Sequence, residues 1–224
     1  RNLVQARGNY RDYGSLSQFS LSATTGAGKT VMAAAVIESL FFGNDEYLFE
    51  ADPTATVLWF SDSPDLNEQS RVRIQMAASE LDSRLRVIES TFADDRLRPG
   101  YVYFLNTQKL SKTSRLVRGG TPGDPNQEEL ALLPRPDTMQ QNIYDILTNT
   151  IQDKRTTLYF VLDEAHRGMG AQNRDRATVV QRLINGHGGV PPMPIVFGIS
   201  ATVERFEAAM RGAQGRAALP SVEV

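Results

Sequence analysis

Eight residues near the start of the chain have the types and the spacing needed to bind a phosphate group. They read ATTGAGKT, from Ala23 to Thr30. Gly26 and Gly28 permit backbone angles that other residues resist, so successive N–H groups can point at one anion. Lys29 adds a mobile positive charge, and the helix expected after the loop would point its positive dipole end at the same place. The segment predicts a nucleotide-phosphate site formed by Thr25, Gly26, Ala27, Gly28, Lys29 and Thr30.

A simpler interpretation of this loop stays open when the loop is taken alone. Ala23 stands where the general phosphate-loop pattern has glycine, so the strict form of the pattern is not met. The segment could then be a glycine-containing turn that enters a helix, with Lys29 exposed to solvent. A second motif elsewhere in the chain is needed to choose between the two.

A pair of carboxylates follows a strongly hydrophobic segment later in the chain. The segment reads YFVLDEAHRG, from Tyr159 to Gly168. Because ligands collect at the carboxyl ends of parallel strands, Asp163 could hold Mg²⁺ there, directly or through water. Glu164 could orient and deprotonate a water molecule that attacks a phosphate. The alternatives are a helix-capping role for the acidic pair and an ordinary surface or core position for His166.

Six hydrophobic segments have the length of strands, and four segments between them have the composition of helices. The strand predicted at 157–163 does not alternate polar with apolar residues, as expected when both faces of a parallel sheet are covered. Strands that alternate with helices predict a doubly wound α/β sheet. Ser63 is expected to cap the helix that begins at Pro64. The predicted strands are Gln18–Ala23, Thr56–Ser61, Leu85–Ser90, Tyr101–Asn106, Thr157–Asp163 and Pro194–Ser200, and the predicted helices are Lys29–Leu40, Pro64–Leu81, Gln140–Gln152 and Arg174–Asn185.

Two segments rich in glycine and proline interrupt this alternation. The first reads RGGTPGDPNQ over Arg118–Gln127 and continues to LLPRPD over Leu132–Asp137. A packed element would tolerate few of these prolines, so a mobile loop is predicted over residues 113–137. The second reads NGHGGVPPMP over Asn185–Pro194 and is expected to be a flexible approach to the last predicted strand.

The composition of the chain limits its class and its chemistry. Its 224 residues are 41% hydrophobic and 22% charged, which is ordinary for one globular α/β domain. The lack of cysteine excludes disulfides and cysteine-ligated metals, and two histidines argue against a histidine-rich metal centre. No apolar run approaches the roughly 20 residues that a membrane span needs. The net charge of −2 argues against a lysine-coated nucleic-acid binder, but not against phosphate contacts made by backbone N–H groups.

Three short motifs, in this order, resemble those of the superfamily two DEAD/DEAH-box helicase-like ATPases. ATTGAGKT is similar to motif I, LDEAH (Leu162–His166) to motif II and SAT (Ser200–Thr202) to motif III. FLNTQKLSK (Phe104–Lys112) and LDEAHRG look most like the translocase (Res) subunit of type III restriction enzymes. The resemblance covers nearly the whole chain and implies a three-layer, RecA-like P-loop NTPase domain with a mainly parallel sheet that binds ATP and Mg²⁺. It implies catalytic roles for Lys29, Asp163, Glu164 and His166, with Thr30 and Asp163 as metal ligands.

The resemblance also implies a path for nucleic acid. DSPDLNEQ (Asp62–Gln69) is similar to motif Ia, although Pro64 stands where many relatives have arginine. Polar side chains and backbone amides at motifs Ia and Ib would position the sugar-phosphate backbone of one strand, independently of base sequence. The alternative is that these residues are ordinary loop ends. The contacts implied are Ser63, Gln69, Asn106, Thr107, Gln108 and Lys109.

In the same family, motifs II and III couple nucleotide to nucleic acid, which here implies His166, Ser200 and Thr202. The adenine contact is often a glutamine upstream of motif I, for which Gln5 and Gln18 are the candidates. A second RecA-like domain supplies arginine fingers in the family, and we find no such domain after Thr202. The arginines that remain, at positions 205, 211 and 216, are more simply interpreted as solvated helix charges.

We therefore expect residues 1–224 to be the first RecA-like domain of a longer, cytoplasmic and bacterial protein. Its expected function is that of the motor of a DNA-dependent ATPase, helicase or translocase in a type III restriction or related defence or repair system. The expected partners are DNA, the missing second RecA-like domain and a methyltransferase or specificity subunit, with no membrane. A P-loop ATPase that signals to protein partners without nucleic acid is the alternative, and a degenerate nucleotide-binding scaffold is a third possibility.

Overall fold

The computed structural model describes residues 1–24, 26–111, 114–118, 141–163, 174–210, 213 and 215–224, and in this part of the chain eight strands form one sheet. The strands are β1 Leu16–Ser22, β2 Ala55–Ser61, β3 Leu85–Val87, β4 Val102–Asn106, β5 Thr157–Asp163, β6 Ile195–Ser200, β7 Arg216–Ala218 and β8 Val222–Glu223. They are ordered β3-β4-β2-β5-β6-β1-β7, with β8 also paired to β1. All of these pairings are parallel.

Helices cover both faces of this sheet. They are α1 Asn2–Tyr13, α2 Lys29–Phe42, α3 Pro64–Ala77, α4 Arg115–Arg118, α5 Ile143–Gln152, α6 Arg174–Asn185 and α7 Val203–Ala209, with 3₁₀ turns at Ser79–Arg84 and Thr107–Leu110. One hydrophobic cluster joins the sheet to α1, α2 and α3, and a second joins the opposite face to α5, α6 and α7. This confirms the predicted three-layer RecA-like α/β fold with a parallel sheet.

The two central strands are buried over their whole length. All seven residues of β2 and all seven of β5 are buried, which explains why neither segment alternates polar with apolar residues. Side chains along β5 point alternately to the two layers: Tyr159 and Val161 belong to the cluster of α1–α3, and Phe160 and Leu162 to the cluster of α5–α7. By this alternation, Asp163 points to the layer of α1, α2 and α3.

Local sequence signals set the ends of several helices. The Ser63 hydroxyl accepts a hydrogen bond from the Leu66 N–H at 3.3 Å, with Pro64 at the first helical position, which confirms the predicted cap of α3. Asn142 and Asp145 form a reciprocal capping box at the start of α5.

The predicted strands and helices are found, with differences at their ends. The strand predicted to end at Ser90 ends at Val87, and the helix predicted to end at Leu81 ends at Ala77 and is followed by a 3₁₀ turn. The sequence interpretation missed α1, α4, α7, β7 and β8. None of the helices that the structure describes is both long and apolar enough to cross a bilayer.

The glycine- and proline-rich segments differ in how much of them can be described. Of the loop predicted at 113–137, residues 114–118 contain α4, whose Leu116 is fully buried, and the rest lies outside the described residues. The segment Asn185–Pro194 contains a hydrogen-bonded turn, in which His187 and Val190 exchange two backbone bonds of 3.1 Å. Gly186 has φ 78°, and a Cβ there would lie 2.7 Å from the Val190 carbonyl oxygen, so this turn requires glycine.

Candidate functional site

The carboxyl ends of neighbouring strands bring a row of polar residues to one edge of the sheet. The register aligns Ser22 with Ser200 and Ser61 with Asn106. Asp163 is the last residue of β5, and β5 lies in the sheet between the strand pair β1–β6, which carries Ser22 and Ser200, and the strand pair β2–β4. Open α/β sheets bind their ligands at this edge.

The predicted phosphate loop connects β1 to α2 at this edge. The Ala27 N–H donates to the Thr24 carbonyl at 3.1 Å, which closes a tight turn. Gly26 and Gly28 have φ values of 90° and 77°. No atom lies closer than 4.0 Å to a Cβ built on either glycine, so the backbone angles rather than a lack of space require glycine. Thr25 lies outside the described residues.

Lys29 and Thr30 form the first turn of α2. The Lys29 ammonium donates to the carbonyls of Ala23 at 3.0 Å and Thr24 at 3.2 Å, so it lies against the loop. Lys29 is half-buried and Thr30 is buried, which disfavours the alternative of a simple exposed lysine. The first turn of α2 contains no acidic residue, so no side chain there neutralises the positive end of the helix dipole.

Asp163 is held by two side chains that the sequence interpretation did not identify. Its Oδ2 accepts a hydrogen bond from the Trp59 indole N–H at 3.2 Å and another from the Ser70 hydroxyl at 2.8 Å. Trp59 comes from β2 and Ser70 from α3, so the carboxylate is fixed between the sheet and the helical layer. The one signal in the sequence is the buried Trp59, because an indole N–H inside a sheet needs an acceptor.

These residues fit a nucleotide with its magnesium ion. Among the described residues, no group of three or more acidic or histidine side chains could hold a metal by itself. Magnesium in nucleotide sites uses one or two carboxylates together with phosphate oxygens and water, and Asp163 with the Thr30 hydroxyl supplies such a donor set. Glu164 and His166, which were predicted to act beside them, lie outside the described residues.

Ser200 and Thr202, predicted to couple two sites, have different environments. Ser200 is fully buried, and its Oγ has no hydrogen-bond partner in the part of the chain that the structure describes. Thr202 is exposed, and its hydroxyl donates to the Glu204 carboxylate at the start of α7. The Glu204 backbone N–H, and then this hydroxyl, lower the pKa of Glu204.

The residues predicted for motif Ia lie at the start of α3. Ser63 is half-buried and caps the helix, whereas Gln69 is exposed. The Ser61 hydroxyl ties the end of β2 to α3, since its oxygen lies 2.6 Å from Asn67 Oδ1 and 3.1 Å from the Ser63 carbonyl oxygen, within hydrogen-bond distance of both. Gln69 therefore lies on a helix whose first turns are fixed to the carboxyl edge.

The second predicted nucleic-acid segment forms the 3₁₀ turn after β4. Asn106 is buried, and its side chain accepts from the Lys109 N–H at 3.2 Å. The Lys109 ammonium pairs with Glu89 at 2.7 Å, which leaves it less free to meet a phosphate. Thr107 Oγ1 is buried without a partner among the described residues, and Gln108 is exposed. Gln108 is the most accessible of these four side chains.

Arg216 is not a solvated helix charge, as the sequence interpretation had it. It belongs to strand β7, and its guanidinium donates to the carbonyls of Met193 and Ile184. Burial lowers the pKa of Arg216 to about 10. The side chain of Arg205 and the whole of Arg211 lie outside what the structure describes. Gln5 is exposed in α1 and Gln18 is part of β1.

Comparisons with known proteins identify the family. A family model described as "Type III restriction enzyme, res subunit" matches residues 4–205, whereas no curated protein sequence matches the chain. A solved structure of S. cerevisiae Dbp5 bound to Gle1 and IP6 has 15% identity and a TM-score of 0.41, covering 93% of this chain and 42% of that one. Another, of S. cerevisiae Dbp5 bound to RNA and ADP BeF3, has 17% identity and a TM-score of 0.43, covering 97% of this chain and 45% of that one.

The chain thus spans less than half the length of these solved chains. The family match, in contrast, extends over nearly all of the 224 residues and includes all three sequence motifs. This chain belongs to the type III restriction enzyme Res-subunit family and is a helicase-like ATPase motor domain.

Proposed function

We propose that this domain hydrolyses ATP to drive movement along DNA, in a type III restriction or related defence or repair system. The observation that carries the proposal is the common position of the loop 23–30 and Asp163 at the carboxyl edge of one parallel sheet. The family membership supports the same activity. The overall charge of −2 is compatible with a domain that contacts the DNA backbone through few cations.

Each part of the nucleotide site has a distinct role in this proposal. Gly26 and Gly28 let the loop N–H groups surround the phosphates, and Lys29 exchanges its carbonyl contacts for the β- and γ-phosphates. Thr30 and Asp163 would hold Mg²⁺, and a magnesium ion there would supply positive charge against the charge that develops on the phosphates. Glu164 orients the attacking water and takes its proton.

DNA would lie across the ends of β2 and β4. Gln69 and Gln108 offer exposed polar side chains there, and the start of α3 offers backbone N–H groups. Contacts of this type are to the sugar-phosphate backbone and carry no base specificity. Lys109, paired with Glu89, contributes by holding the turn in place.

The full motor in this proposal needs partners. A second RecA-like domain closes over the nucleotide and supplies arginine fingers, and a methyltransferase or specificity subunit selects the DNA, all in the bacterial cytoplasm. The domain alone then binds ATP weakly and turns it over slowly. A turnover above about 1 s⁻¹, the lower end of typical enzyme rates, would contradict the need for the second domain.

The experiment that tests the proposal measures ATP binding and turnover by the full-length protein, second RecA-like domain included, with and without DNA. We expect Lys29→Ala to weaken ATP binding and Glu164→Gln to keep ATP bound while hydrolysis stops. Lys154→Ala is the matched control, because Lys154 is exposed just before β5, where the strands have their amino ends and not the carboxyl ends that form the site. Turnover that DNA does not change would contradict the proposal and favour an ATPase that signals to protein partners.

A further inference from the structure

Two buried donors converge on one oxygen of Asp163. Trp59 is fully buried, Ser70 is 4% exposed and Asp163 is 9% exposed. The Ser70 hydroxyl lies 2.8 Å and the Trp59 indole nitrogen 3.2 Å from Oδ2. The three residues belong to three different elements, so their meeting results from the tertiary fold and not from a local turn.

These two hydrogen bonds fix the orientation of the Asp163 carboxylate, which matters if the carboxylate holds a metal ion. Both donors bind the same oxygen, so together they select one orientation of the carboxylate plane. Ligating carboxylates are commonly oriented by hydrogen bonds from residues that do not touch the metal, and loss of such a partner typically weakens metal binding about 10- to 100-fold.

We propose that Ser70 and Trp59 are positioning residues that orient Asp163 for the magnesium ion of the bound nucleotide. This inference rests on the proposed function, in which Asp163 holds that ion. Ser70 follows directly after Gln69, so helix α3 turns one side chain to solvent and the next to the metal-binding carboxylate. Neither Ser70 nor Trp59 touches the nucleotide in this proposal.

The test is a magnesium titration of nucleotide binding by Ser70→Ala. A fluorescent ADP analogue reports binding, and the emission of Trp59, the one tryptophan of the chain, reports on the Asp163 carboxylate directly. We expect the Mg²⁺ concentration for half-maximal binding to rise about 10-fold or more. Binding of the metal-free analogue should stay unchanged, and Ser70→Thr, which keeps the hydroxyl, should restore the Mg²⁺ dependence.

Ser20→Ala is the matched control for the loss of a buried, bonded hydroxyl. Ser20 is fully buried in β1, and its Oγ lies 2.8 Å from the Ser221 hydroxyl, away from Asp163. Thermal unfolding checks that each variant is folded. If Ser70→Ala does not fold, Trp59→Phe removes the other donor, keeps an aromatic ring and should raise the Mg²⁺ requirement in the same direction.

The outcomes separate this inference from the function on which it rests. A Mg²⁺ dependence of Ser70→Ala equal to that of Ser20→Ala would overturn the positioning role and leave the proposed function intact. Equal losses with and without Mg²⁺ would also overturn it, because they would indicate a general structural defect. A wild-type chain that binds no nucleotide at any Mg²⁺ concentration would overturn both.

Discussion

Phe206 of α7 packs directly on Gly198 of β6. A Cβ atom on Gly198 would lie 2.0 Å from Cδ2 and 2.3 Å from Cε2 of the Phe206 ring. Gly198 comes just before Ser200 in β6, and Phe206 comes shortly after Thr202 in α7. Phe206 is buried in the cluster of α5, α6 and α7. The glycine therefore fixes how closely α7 approaches the sheet just after the predicted coupling motif.

Gly198→Ala is expected to lower the free energy of unfolding by about 1–3 kcal/mol, because the Phe206 ring must move out of a packed core. Urea unfolding, followed by circular dichroism, measures the change. Gly8→Ala is the matched control, since Gly8 lies within α1 and the nearest atom to a Cβ there is Asp12 Oδ2 at 4.0 Å. That substitution should stabilise the protein by about 0.5–1 kcal/mol. Equal midpoints for the two variants would contradict the steric argument.

A second prediction concerns Asp52, a buried carboxylate just before β2, at the end of the sheet where the strands begin. Asp52 is 1% exposed, accepts a hydrogen bond of 2.8 Å from the Tyr159 hydroxyl and forms an ion pair with Arg11 of α1. Burial, and then the charge of Asp52, raise the pKa of Tyr159 far above its ordinary value. The tyrosine is therefore a neutral donor throughout the usual pH range.

Tyr159→Phe should cost about 1.5–3 kcal/mol of unfolding free energy, the range for a hydrogen bond to a charged group. Tyr13→Phe is its control, because Tyr13 is 79% exposed at the end of α1, and we expect a change below about 0.5 kcal/mol. Chemical unfolding of both variants tests the difference. A loss for Tyr159→Phe no larger than that for Tyr13→Phe would show that the buried bond adds nothing.

A third prediction is a pH dependence that comes from Asp153. Its carboxylate accepts hydrogen bonds from Arg155 and from Arg96, at 2.9 and 2.8 Å for Oδ2, and these hold its pKa well below the ordinary value of 3.8. As the pH falls below 3.8, the unfolded chain takes up this proton before the folded protein does. The contribution of Asp153 is therefore complete above that pH and is lost on acidification.

Asp153→Asn should remove this part of the acid sensitivity. Urea midpoints measured between about pH 2 and pH 7 should fall less steeply at the acid end for the variant than for the wild type, because the asparagine side chain does not titrate there. The two curves should run parallel at higher pH, where the wild-type carboxylate is already charged. Curves that stay parallel down to pH 2 would contradict the assignment.

The sequence predicts the sheet well because its two central strands are apolar over most of their length. The seven-residue runs that became β2 and β5 are buried at every position, so composition alone locates them. Helix α1 was missed because its apolar face is small: Ala6 is its only buried residue, and other contacts are polar and distant in sequence, such as that of Arg7 with the carbonyl of Glu50 at 3.2 Å. Long-range polar contacts leave no periodic pattern in a sequence.

In the candidate site, too, some residues are recognisable from the sequence and others are not. Gly28 and Asp163 are recognisable because each is part of a short contiguous motif next to a strand. Ser70 and Trp59 are not, because they lie 93 and 104 residues from Asp163 and meet it only through the order of the strands. The motif position of Lys109 predicts a phosphate contact, which stays a prediction; the ion pair of its ammonium with Glu89 is a contact that the sequence did not indicate.

The last prediction separates the two hydroxyls of the coupling motif. Ser200→Ala removes a buried oxygen that has no partner among the described residues, so it should leave the free energy of unfolding unchanged or slightly raised. ATP binding should stay intact, while stimulation of turnover by DNA should weaken. Ser17→Ala is the matched control, because Ser17 is also fully buried, with an Oγ that has no partner in the described part of the chain, but lies at the opposite end of the neighbouring strand β1.

Thr202→Ala should behave differently from Ser200→Ala, because the Thr202 hydroxyl is exposed and already donates to Glu204. We expect it to lower the free energy of unfolding by less than about 0.5 kcal/mol and to raise the pKa of Glu204, which NMR titration of that carboxyl measures. ATPase assays of the single and double variants, with and without DNA, then show which hydroxyl transmits the effect of DNA. If stimulation is unchanged in the double variant, neither hydroxyl couples the two sites, and the buried Ser200 hydroxyl is a structural feature of β6 alone.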